Sequence, residues 1–464
     1  MTFPAGFLWG AATAAAQIEG AAHEGGKLDS IWDAFARVPG NVAHGDTPEV
    51  AVDHYHRMAE DVALMRELGL DSYRFSVSWA RVMPDGVHAN PIGLDFYSRL
   101  VDELLANGIL PWLTLYHWDL PQALAAQGGW SNRDTASRFA EYAAATHEAL
   151  GDRVTHWTTF NEPFCSAYLG YASGEHAPGL REPRSALAAL HHQHLAHGFA
   201  LRELRSRGAQ ELGITLNLTN AIPNDPTDPV DIDAARRIDG LWNRAFLDPI
   251  LRGSYPSDVL EDVAALDFAP FVYDGDLTII SAPIDFLGVN YYHDDNVSGH
   301  PLPEGTSPGL RPTSKEGSSP FVASEFVTFP PRDLPLTAMG WEINADGLRA
   351  LLVRLGDEYD NLPPMYITEN GSAWPDEISA DGAVHDEDRV AYLKDHVDAV
   401  EAAIAEGADV RGYFAWSLLD NFEWAWGYEK RFGIVHVDYH SLVRTVKDSG
   451  RAFAAIVEGS RAVR

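Results

Sequence analysis

Tyr366-Ile367-Thr368-Glu369-Asn370-Gly371 is an apolar run of strand length that ends abruptly in a carboxylate. β-Branched and aromatic residues, preceded by Pro363-Pro364 and followed by an Asn-Gly turn signal, favour a buried strand over a helix, which needs more length and a 3.6-residue period. The pattern therefore places Glu369 at the carboxyl end of a strand. A single acid there is explained by an ion pair or a capping contact, so a functional role for Glu369 requires a second acid close to it.

The overall charge argues against polyanionic partners. The 464 residues include 67 acidic and 34 basic side chains, which gives a formal charge of −33 at pH 7. Such a chain repels nucleic acid and anionic membrane surfaces, and the sequence has no basic stripe that would bind either. It also has no uninterrupted apolar stretch of about 18 residues that would predict a membrane helix. The acidity is typical of a solvated surface and says little about a substrate.

The cysteine content and the amino terminus bear on the cellular compartment. The chain has one cysteine, Cys165, which excludes an intramolecular disulfide and fits a reducing environment. Residues 1–20 lack the basic segment of a secretory signal and continue directly into patterned sequence. We therefore expect a cytoplasmic protein.

Apolar runs of strand length alternate with helical patterns along the whole chain, which predicts βα units and a parallel sheet. The alternation favours an α/β fold with one closed (β/α)8 barrel of the TIM type, a single domain over residues 1–464 whose extended βα loops form the mouth. The predicted strands are Phe7–Ala14, Ser72–Val77, Leu110–Tyr116, Thr155–Phe160, Leu212–Leu218, Ile284–Asn290, Met365–Glu369 and Gly412–Trp416. The predicted helices include Ala51–Leu68, Leu94–Ala106, Asp134–Leu150, Ser185–Arg205 and Asp388–Glu406.

An open, doubly wound sheet is the competing arrangement, and it usually carries a glycine-rich phosphate loop after its first strand. At that position residues 10–20 read GAATAAAQIEG, which contains neither GxGxxG nor GxxxxGK[ST]. We therefore predict no nucleotide cofactor, and the sequence implies no other cofactor. The segment His300–Leu336 interrupts the alternation and is rich in Pro, Ser and Gly. Because it follows a predicted strand, we expect it to form a wall of the active site.

A second predicted strand also ends in a glutamate. Thr155–Phe160 alternates in polarity and is followed by Asn161, Glu162 and Pro163. Closing a barrel brings the carboxyl ends of all its strands to one mouth, so Glu162 and Glu369 are expected to face each other. Two facing carboxylates are what glycoside hydrolysis requires, since one protonates the leaving oxygen and the other attacks the anomeric carbon.

Seven short motifs in order resemble glycoside hydrolase family 1, and together they span roughly residues 3–439. The resemblance implies a (β/α)8 barrel and a retaining β-glycosidase, most often a β-glucosidase. The motifs are FLWGAAT with QIEG (7–13 and 17–20), YRFSVSW (73–79), TLYHWDLPQAL (114–124), TFNEP (159–163), GVNYY (288–292), YITENG (366–371) and SLLDNFEWAWGYEKRFGIVHVDY (417–439).

The resemblance also implies roles for the two acids. Glu162 of TFNEP matches the general acid/base, and Glu369 of ITENG matches the nucleophile. In a retaining enzyme the two carboxyl groups are about 5 to 5.5 Å apart, so an ionised Glu369 would keep Glu162 protonated. The residues that resemble the family's partners of the nucleophile are Arg74, Tyr292 and Asn290.

Further matches imply a sugar-binding pocket with fixed hydrogen-bonding groups and aromatic faces. A carboxylate such as Glu423 can accept from two vicinal hydroxyls, and Asn161 is placed to bond the 2-hydroxyl. Trp416 matches the stacking platform under the sugar, and Trp341 matches the aromatic that lines the aglycone side. The full set of implied substrate-binding residues is Gln17, His117, Trp118, Asn161, Trp341, Trp416, Glu423, Trp424 and Phe432.

The chain departs from the commoner family pattern in one place, where Ala15-Ala16 replaces a Ser-Tyr pair before QIEG. This change enlarges a void or alters the entrance without removing a catalytic group. The phosphoglycosidase branch of the family carries Ser where this chain has Glu423 and Tyr where it has Phe432, alongside a Lys that matches Lys430. The 6-phospho-β-glycosidase alternative is therefore disfavoured, because the Glu423 carboxylate repels a phosphate. The thioglucosidase branch replaces the acid/base by Gln, whereas Glu162 is intact.

Two alternatives of a different class stay open. A sugar-binding barrel without catalysis would bind glycosides without turnover, and loss of either glutamate would have been its signature. A metal-dependent hydrolase is suggested by His54-Tyr55-His56, but zinc barrels place HxH at a strand end and here it opens a predicted helix. Four further histidines, at 191, 192, 194 and 197, lie on the predicted fourth helix, where we favour a structural role and predict no metal.

The expected substrates are small β-glucosides or short oligosaccharides, including those that arise in cellulose degradation. The resemblance leaves the glycone open, because glucose, galactose and fucose differ by one hydroxyl or its absence. β-Galactosidase and β-fucosidase activity are therefore alternatives to β-glucosidase activity.

Overall fold

Eight barrel strands alternate with helices along residues 3–302 and 319–462, the ranges that the computed structural model describes, and four further strands of three residues each pair outside the barrel. The barrel strands are β1 (Leu8–Ala12), β2 (Ser72–Ser76), β3 (Leu110–Tyr116), β4 (His156–Asn161), β5 (Glu211–Asn217), β6 (Phe286–Asn290), β7 (Met365–Asn370) and β8 (Val410–Trp416). They close into a barrel in chain order, β8 pairs with β1, and every neighbouring pair is parallel. The predicted (β/α)8 barrel is confirmed.

A long helix follows each strand and returns the chain to the start of the next. These helices are α1 (His54–Glu67), α2 (Pro91–Ala106), α3 (Asp134–Leu150), α4 (Pro183–Ser206), α5 (Pro229–Asp239), α6 (Ala345–Glu358), α7 (Glu387–Ala405) and α8 (Asp448–Ala462). Shorter helices include Ala15–Ile18, Ile31–Ala36, Trp79–Val82, Gln122–Ala125, Ala245–Leu251, Ser257–Asp262 and Asp276–Ile280. Over the described ranges, none of the helices combines the length and the apolarity that crossing a membrane would require.

The first helix differs from its prediction. It begins at His54 and not at Ala51, because Ala51 and Asp53 have positive φ values of +48° and +59°, which no α-helix accommodates. The first strand is also shorter than predicted and ends at Ala12, since the short helix Ala15–Ile18 starts three residues later. Both differences arise in segments whose backbone conformation is fixed by tertiary contacts.

Aromatic rings fill the barrel at the amino ends of the strands. The ring of Trp112 on β3 lies 4.8 Å from those of Phe286 and Tyr366 and 5.3 Å from that of Phe414. Glycine on neighbouring strands makes this packing possible: a Cβ at Gly10 would come within 2.5 Å of the Phe414 ring. The amino end of the barrel is therefore a closed apolar layer, and only the carboxyl end can open into a cavity.

Candidate active site

Two glutamates from different strands lie at the carboxyl-end mouth of the barrel. Glu162 follows β4 directly, and Glu369 is the next-to-last residue of β7. Both are buried, and both line a cavity of about 420 Å³. The backbone of Glu162 has φ +46°, a left-handed conformation that costs a non-glycine residue about 1–3 kcal/mol. Its N–H donates to the carbonyl of Thr215 on β5 at 3.0 Å, which helps to hold the strained residue in place.

Glu369 has one donor on each carboxylate oxygen. Arg74 on β2 donates from Nη1 to Oε1 at 2.6 Å, and Tyr292 donates its hydroxyl to Oε2 at 2.7 Å. Burial raises the pKa of Glu369, and the Arg74 guanidinium and the Tyr292 hydroxyl oppose that rise because they stabilise the charged form. Arg74 is itself fully buried, so this ion pair is shielded from solvent.

Glu162 has a different environment. Asn290 at the end of β6 donates from Nδ2 to Oε1 at 2.6 Å, and the thiol of Cys165 lies 3.2 Å from Oε2. Burial and, after it, the negative charge of Glu369 together raise the pKa of Glu162 to about 8. Because Glu369 has a direct guanidinium partner and Glu162 has none, a proton shared by the pair resides on Glu162.

Asn161 connects the surroundings of the two acids to His117. Its Oδ1 accepts from Arg74 Nη2 at 2.6 Å and from Asn290 Nδ2 at 3.1 Å. Its Nδ2 therefore donates to Nε2 of His117, at 3.0 Å. Burial and then the Arg74 charge hold the pKa of His117 well below its usual range, so the ring is neutral and its proton lies on Nδ1. That nitrogen has no hydrogen-bond partner among the residues that the structure describes, so it can donate to a ligand.

Gln17 and Glu423 form a second polar group at the mouth. Gln17 Nε2 donates to Asn421 Oδ1 at 2.9 Å, to the carbonyl of Phe422 at 3.0 Å and to Glu423 Oε2 at 3.3 Å. These bonds orient the Gln17 carbonyl oxygen, which has no partner within the described ranges of the chain. Burial, followed by the charges of Glu369 and Glu162, raises the pKa of Glu423 to about 8. A ligand hydroxyl would satisfy the free carbonyl oxygen of Gln17.

Aromatic rings surround these polar groups. Trp416 lies nearly parallel to His117, with 5.8 Å between the ring centres, and Trp424 packs 4.5 Å from Trp118. Trp118 and Trp424 have positive φ values, +77° and +48°, so the mouth contains two strained residues besides Glu162. On the outer side, Trp341 lies between Tyr292, Phe432 and His293 at ring distances of 5.3, 6.1 and 5.1 Å.

The structure brings all of the sequence-predicted site residues to this mouth. Most of them line the cavity directly; Arg74, Gln17 and Asn161 lie one layer behind and are bonded to residues that do. Their chemical roles stay predictions. Of the segment His300–Leu336, residues 303–318 lie outside the described residues, and Phe321 and Phe329 from its remaining part line the cavity.

Several lining residues were not identified from the sequence. They belong to connecting segments between the motifs and include Cys165, His176, Trp242, His293, Phe321 and Phe329. Phe164 and Trp242 stack at 4.5 Å, and Phe321 packs against Trp242 at 5.6 Å, which forms an aromatic wall on the outer side. The signal available for Cys165 was its position three residues after Glu162.

The histidine groups weighed as metal ligands have other partners. His54 is buried with Nδ1 2.7 Å from Asp61, whereas His56 is half exposed and contacts Asp53 and Glu24. The four histidines of α4 are buried and bonded to other groups of the protein: His191 and His194 both contact the Tyr255 hydroxyl, and His197 contacts Thr159 at 2.7 Å. Within the described ranges, one group of three ligand atoms lies within 4.8 Å, that of Asp228, Asp231 and His300, and none of these three lines the cavity.

Comparisons with known proteins show the family to which the chain belongs. The family model described as glycosyl hydrolase family 1 matches residues 1–461. A bifunctional β-D-glucosidase/β-D-fucosidase of Bifidobacterium breve is 49% identical over 97% of this chain and 96% of its own length. The crystal structure of a psychrophilic β-glucosidase from Micrococcus antarcticus has a TM-score of 0.98 at 67% identity and covers 99% of this chain and 98% of that one. A family 1 β-glucosidase from Thermotoga maritima in complex with isofagomine lactam has a TM-score of 0.91 at 45% identity, with 99% of each chain covered.

A (β/α)8 barrel with two buried glutamates at its carboxyl-end mouth, matched over its whole length by enzymes that cleave glycosidic bonds, is a glycoside hydrolase. The chain belongs to glycosyl hydrolase family 1.

Proposed function

We propose that this protein is a retaining β-glucosidase that removes terminal, non-reducing β-D-glucosyl residues from small glycosides by double displacement. The observation that carries the proposal is the unequal environment of the two glutamates. Glu369 is bonded to a guanidinium and a phenol, whereas Glu162 has neither and has a pKa near 8. One acid is thus prepared to attack as a carboxylate and the other to donate a proton.

In the first step, a carboxylate oxygen of Glu369 attacks the anomeric carbon while Glu162 transfers its proton to the glycosidic oxygen, which leaves as an alcohol. Bond formation removes the negative charge of Glu369. The pKa of Glu162 then falls, because the charge that had raised it is no longer present. Arg74 and Tyr292 keep the ester oxygen and the emerging carboxylate aligned.

In the second step, Glu162 is a carboxylate and accepts a proton from water, whose oxygen attacks the anomeric carbon. The ester bond breaks, and Glu369 returns as a carboxylate to its two donors. Two inversions at the same carbon retain the β configuration. Proton NMR during the first minutes of hydrolysis should therefore show the β-anomer of the released sugar before mutarotation.

The glycone is proposed to lie between the polar groups of the mouth. His117 Nδ1 is a donor, the Gln17 carbonyl is an acceptor, and Glu423 accepts from hydroxyls when it is ionised. Trp416 supplies an apolar face below the ring. The aromatic wall that contains Trp242 and Phe321 is suited to the aglycone, because it lies on the outer side and has few fixed polar groups.

A phosphorylated sugar fits this mouth poorly. In its ionised form Glu423 would repel a 6-phosphate, and Lys430, the cation that could compensate, donates to Glu429 at 2.7 Å and lies over the Trp426 ring. Lys430 is not among the residues that line the cavity. We therefore expect 6-phosphoglucosides to be hydrolysed far more slowly than the unphosphorylated glucosides, which a direct comparison of kcat/KM would measure.

β-Fucosidase activity is a second candidate, since the Bifidobacterium breve relative is described as acting on both sugars. β-Galactosidase activity is a further alternative, and it concerns the same choice of glycone. A panel of aryl β-glucoside, β-galactoside and β-fucoside, compared by kcat/KM, assigns the glycone. The expected order has the glucoside first or level with the fucoside, and a galactoside that exceeded both would contradict the proposal.

Hydrolysis of an aryl β-glucoside also decides between the enzyme and the alternatives of a different class. Binding without turnover would support a sugar-binding barrel. Loss of activity with a chelator, restored by zinc, would support a metal-dependent hydrolase. Turnover that is insensitive to the chelator would support the proposal.

We further propose a cytoplasmic enzyme that acts on short β-linked glucosides, including those produced in cellulose degradation. The single buried cysteine supports this location, because it fits a reducing compartment. Activity measured in separated cytosolic, membrane and secreted fractions of the source cells tests the location, and turnover of cellobiose relative to longer cello-oligosaccharides tests the substrate.

A further inference from the structure

The thiol of Cys165 lies against the proposed acid/base, Glu162, and takes no part in the two proposed steps. Cys165 is the first residue of a π-helix, Cys165–Ser173, that begins shortly after Glu162. Its backbone N–H donates to the carbonyl of Glu162 at 3.0 Å, and its Sγ lies 3.2 Å from Oε2 of the same residue. Cys165 is 7% exposed and contributes to the cavity lining.

The other oxygen of Glu162 is already occupied by a fixed donor. Asn290 Nδ2 donates to Oε1 at 2.6 Å, while Asn290 Oδ1 accepts from the hydroxyl of Thr368 at 2.8 Å, which fixes the orientation of the amide. An amide N–H cannot accept a proton. The proton that Glu162 transfers must therefore reside on Oε2, the oxygen beside the sulfur.

The sulfur is held as a neutral thiol. Asn217 Nδ2 donates to Sγ at 3.8 Å, which leaves the S–H free to point away from that amide, towards Glu162. Burial raises the pKa of Cys165 well above its usual range, and the charge of Glu162 raises it further. The thiol is consequently a weak hydrogen-bond donor and not a nucleophile at neutral pH.

We propose that Cys165 is a positioning residue for the acid/base: its S–H donates to Oε2 when Glu162 is ionised and turns away when Oε2 carries the proton. This inference rests on the proposed role of Glu162. When the proton passes from Oε2 to the glycosidic oxygen, the S–H gains an acceptor; when water returns a proton to Oε2, that hydrogen bond breaks. No bond to sulfur forms or breaks, so no oxidant or reductant is required.

A donor that bonds only the ionised form makes Glu162 a stronger acid and a weaker base. Replacing Cys165 by valine should therefore raise the upper apparent pKa of the kcat/KM profile by about 0.5 unit, the change expected for the loss of one weak hydrogen bond. Cys165→Ser retains a donor and should stay within about 0.2 unit of the unmodified enzyme or fall below it. Cys165→Ala is the second donor-free variant, should valine fail to fold.

Leaving groups provide a readout that a packing role would not affect. A dinitrophenyl glucoside departs without protonation, so its kcat/KM should be unchanged in Cys165→Val, whereas that of an alkyl glucoside, which needs the acid, should fall about two- to threefold. Equal losses on both substrates, or a serine variant that behaves like valine, would overturn the proposal.

The decisive measurement is spectroscopic and does not depend on turnover. Because the chain has one cysteine, the S–H stretching band in the infrared reports on Cys165 alone. As the pH rises from about 6 to about 10, the band should shift to lower frequency with the titration of Glu162. Glu162→Gln should abolish the shift. A band that does not move, or that moves equally in Glu162→Gln, would overturn the proposed contact, whatever the role of Glu162. If Glu162 is not the acid/base, the turnover of Glu162 variants would show it, and the shift of the S–H band would remain.

Discussion

The same strands build two opposite layers inside the barrel. On β6, Phe286 contributes to the aromatic layer at the amino end and Asn290 bonds Glu162 at the carboxyl end. On β7, Tyr366 packs in the aromatic layer and Glu369 lies at the carboxyl end, although only three positions separate them. Alternation along a strand and the closure of the barrel thus place a packed apolar layer under a layer of buried charge.

The two layers differ in how well their polar groups are satisfied. In the aromatic layer, Trp112 donates its Nε1 proton to Thr158 Oγ1 at 2.9 Å. In the layer at the carboxyl end, His117 Nδ1 and the Gln17 carbonyl have no partner in the described part of the chain, and Glu162 has a strained backbone. The first layer is arranged for stability, and the second keeps unsatisfied groups that a sugar can bond. Variants in each layer should therefore have separable effects.

The largest effect is expected for the nucleophile. Glu369→Ala should lower kcat by about 10⁴-fold or more, because the covalent intermediate can no longer form. Glu369→Gln, which still accepts from Arg74, is the matched control for folding and should be equally inactive. The measurement is kcat on an aryl glucoside together with the thermal unfolding midpoint. More than about one per cent of the activity in both variants would mean that another group attacks.

A stability effect without a comparable loss of activity is expected from the aromatic layer. Trp112→Ala should lower the free energy of unfolding by about 3–5 kcal/mol, because it removes a large buried ring and leaves a cavity. Its kcat/KM at a temperature well below unfolding should change by less than about threefold. Denaturant midpoints and kinetics test this pair of outcomes. A kinetic loss as large as that of Glu369→Ala would show that the two layers are not separable.

A smaller effect is expected for a group that only binds the sugar. His117→Phe removes the Nδ1 donor but keeps an aromatic ring next to Trp416. We expect kcat/KM to fall about 10- to 100-fold, the effect of losing one or two substrate hydrogen bonds in a buried site. A glucoside that lacks the hydroxyl bound by His117 should be hydrolysed equally by both enzymes. Equal losses on every deoxy substrate would argue against a specific contact.

The smallest change concerns the pH profile of the unmodified enzyme. Glu162 must be protonated in the first step and its pKa is raised to about 8, so kcat/KM should fall as the pH rises through an apparent pKa near 8. On the acid side, activity should fall when Glu369 becomes protonated. The upper limb should be absent for a dinitrophenyl glucoside. A loss of kcat/KM centred near the ordinary glutamate pKa would contradict the raised value.

The sequence predicted the barrel and its catalytic end for identifiable physical reasons. Eight apolar runs alternate with helical patterns, and closure then brings residues such as Arg74, Glu162 and Glu369 together although they are far apart in the chain. The outer wall was not predictable in this way. Trp242 and Phe321 belong to long connections whose path is set by packing and not by periodicity. The positive φ of Glu162 could not be predicted either, because glutamate as a residue type does not indicate a left-handed backbone.

The central claim is that Glu369 attacks the anomeric carbon while Glu162 exchanges the proton. In a 2-deoxy-2-fluoro-β-glucoside the fluorine slows both steps, and a good leaving group makes the first step faster than the second. The covalent glycosyl-enzyme therefore accumulates. Peptide mapping by mass spectrometry after this treatment should find one fluoroglucosyl group per chain, attached to Glu369. Attachment to Glu162 or to any other residue, or no attachment in an enzyme that turns over the parent glucoside, would contradict the account.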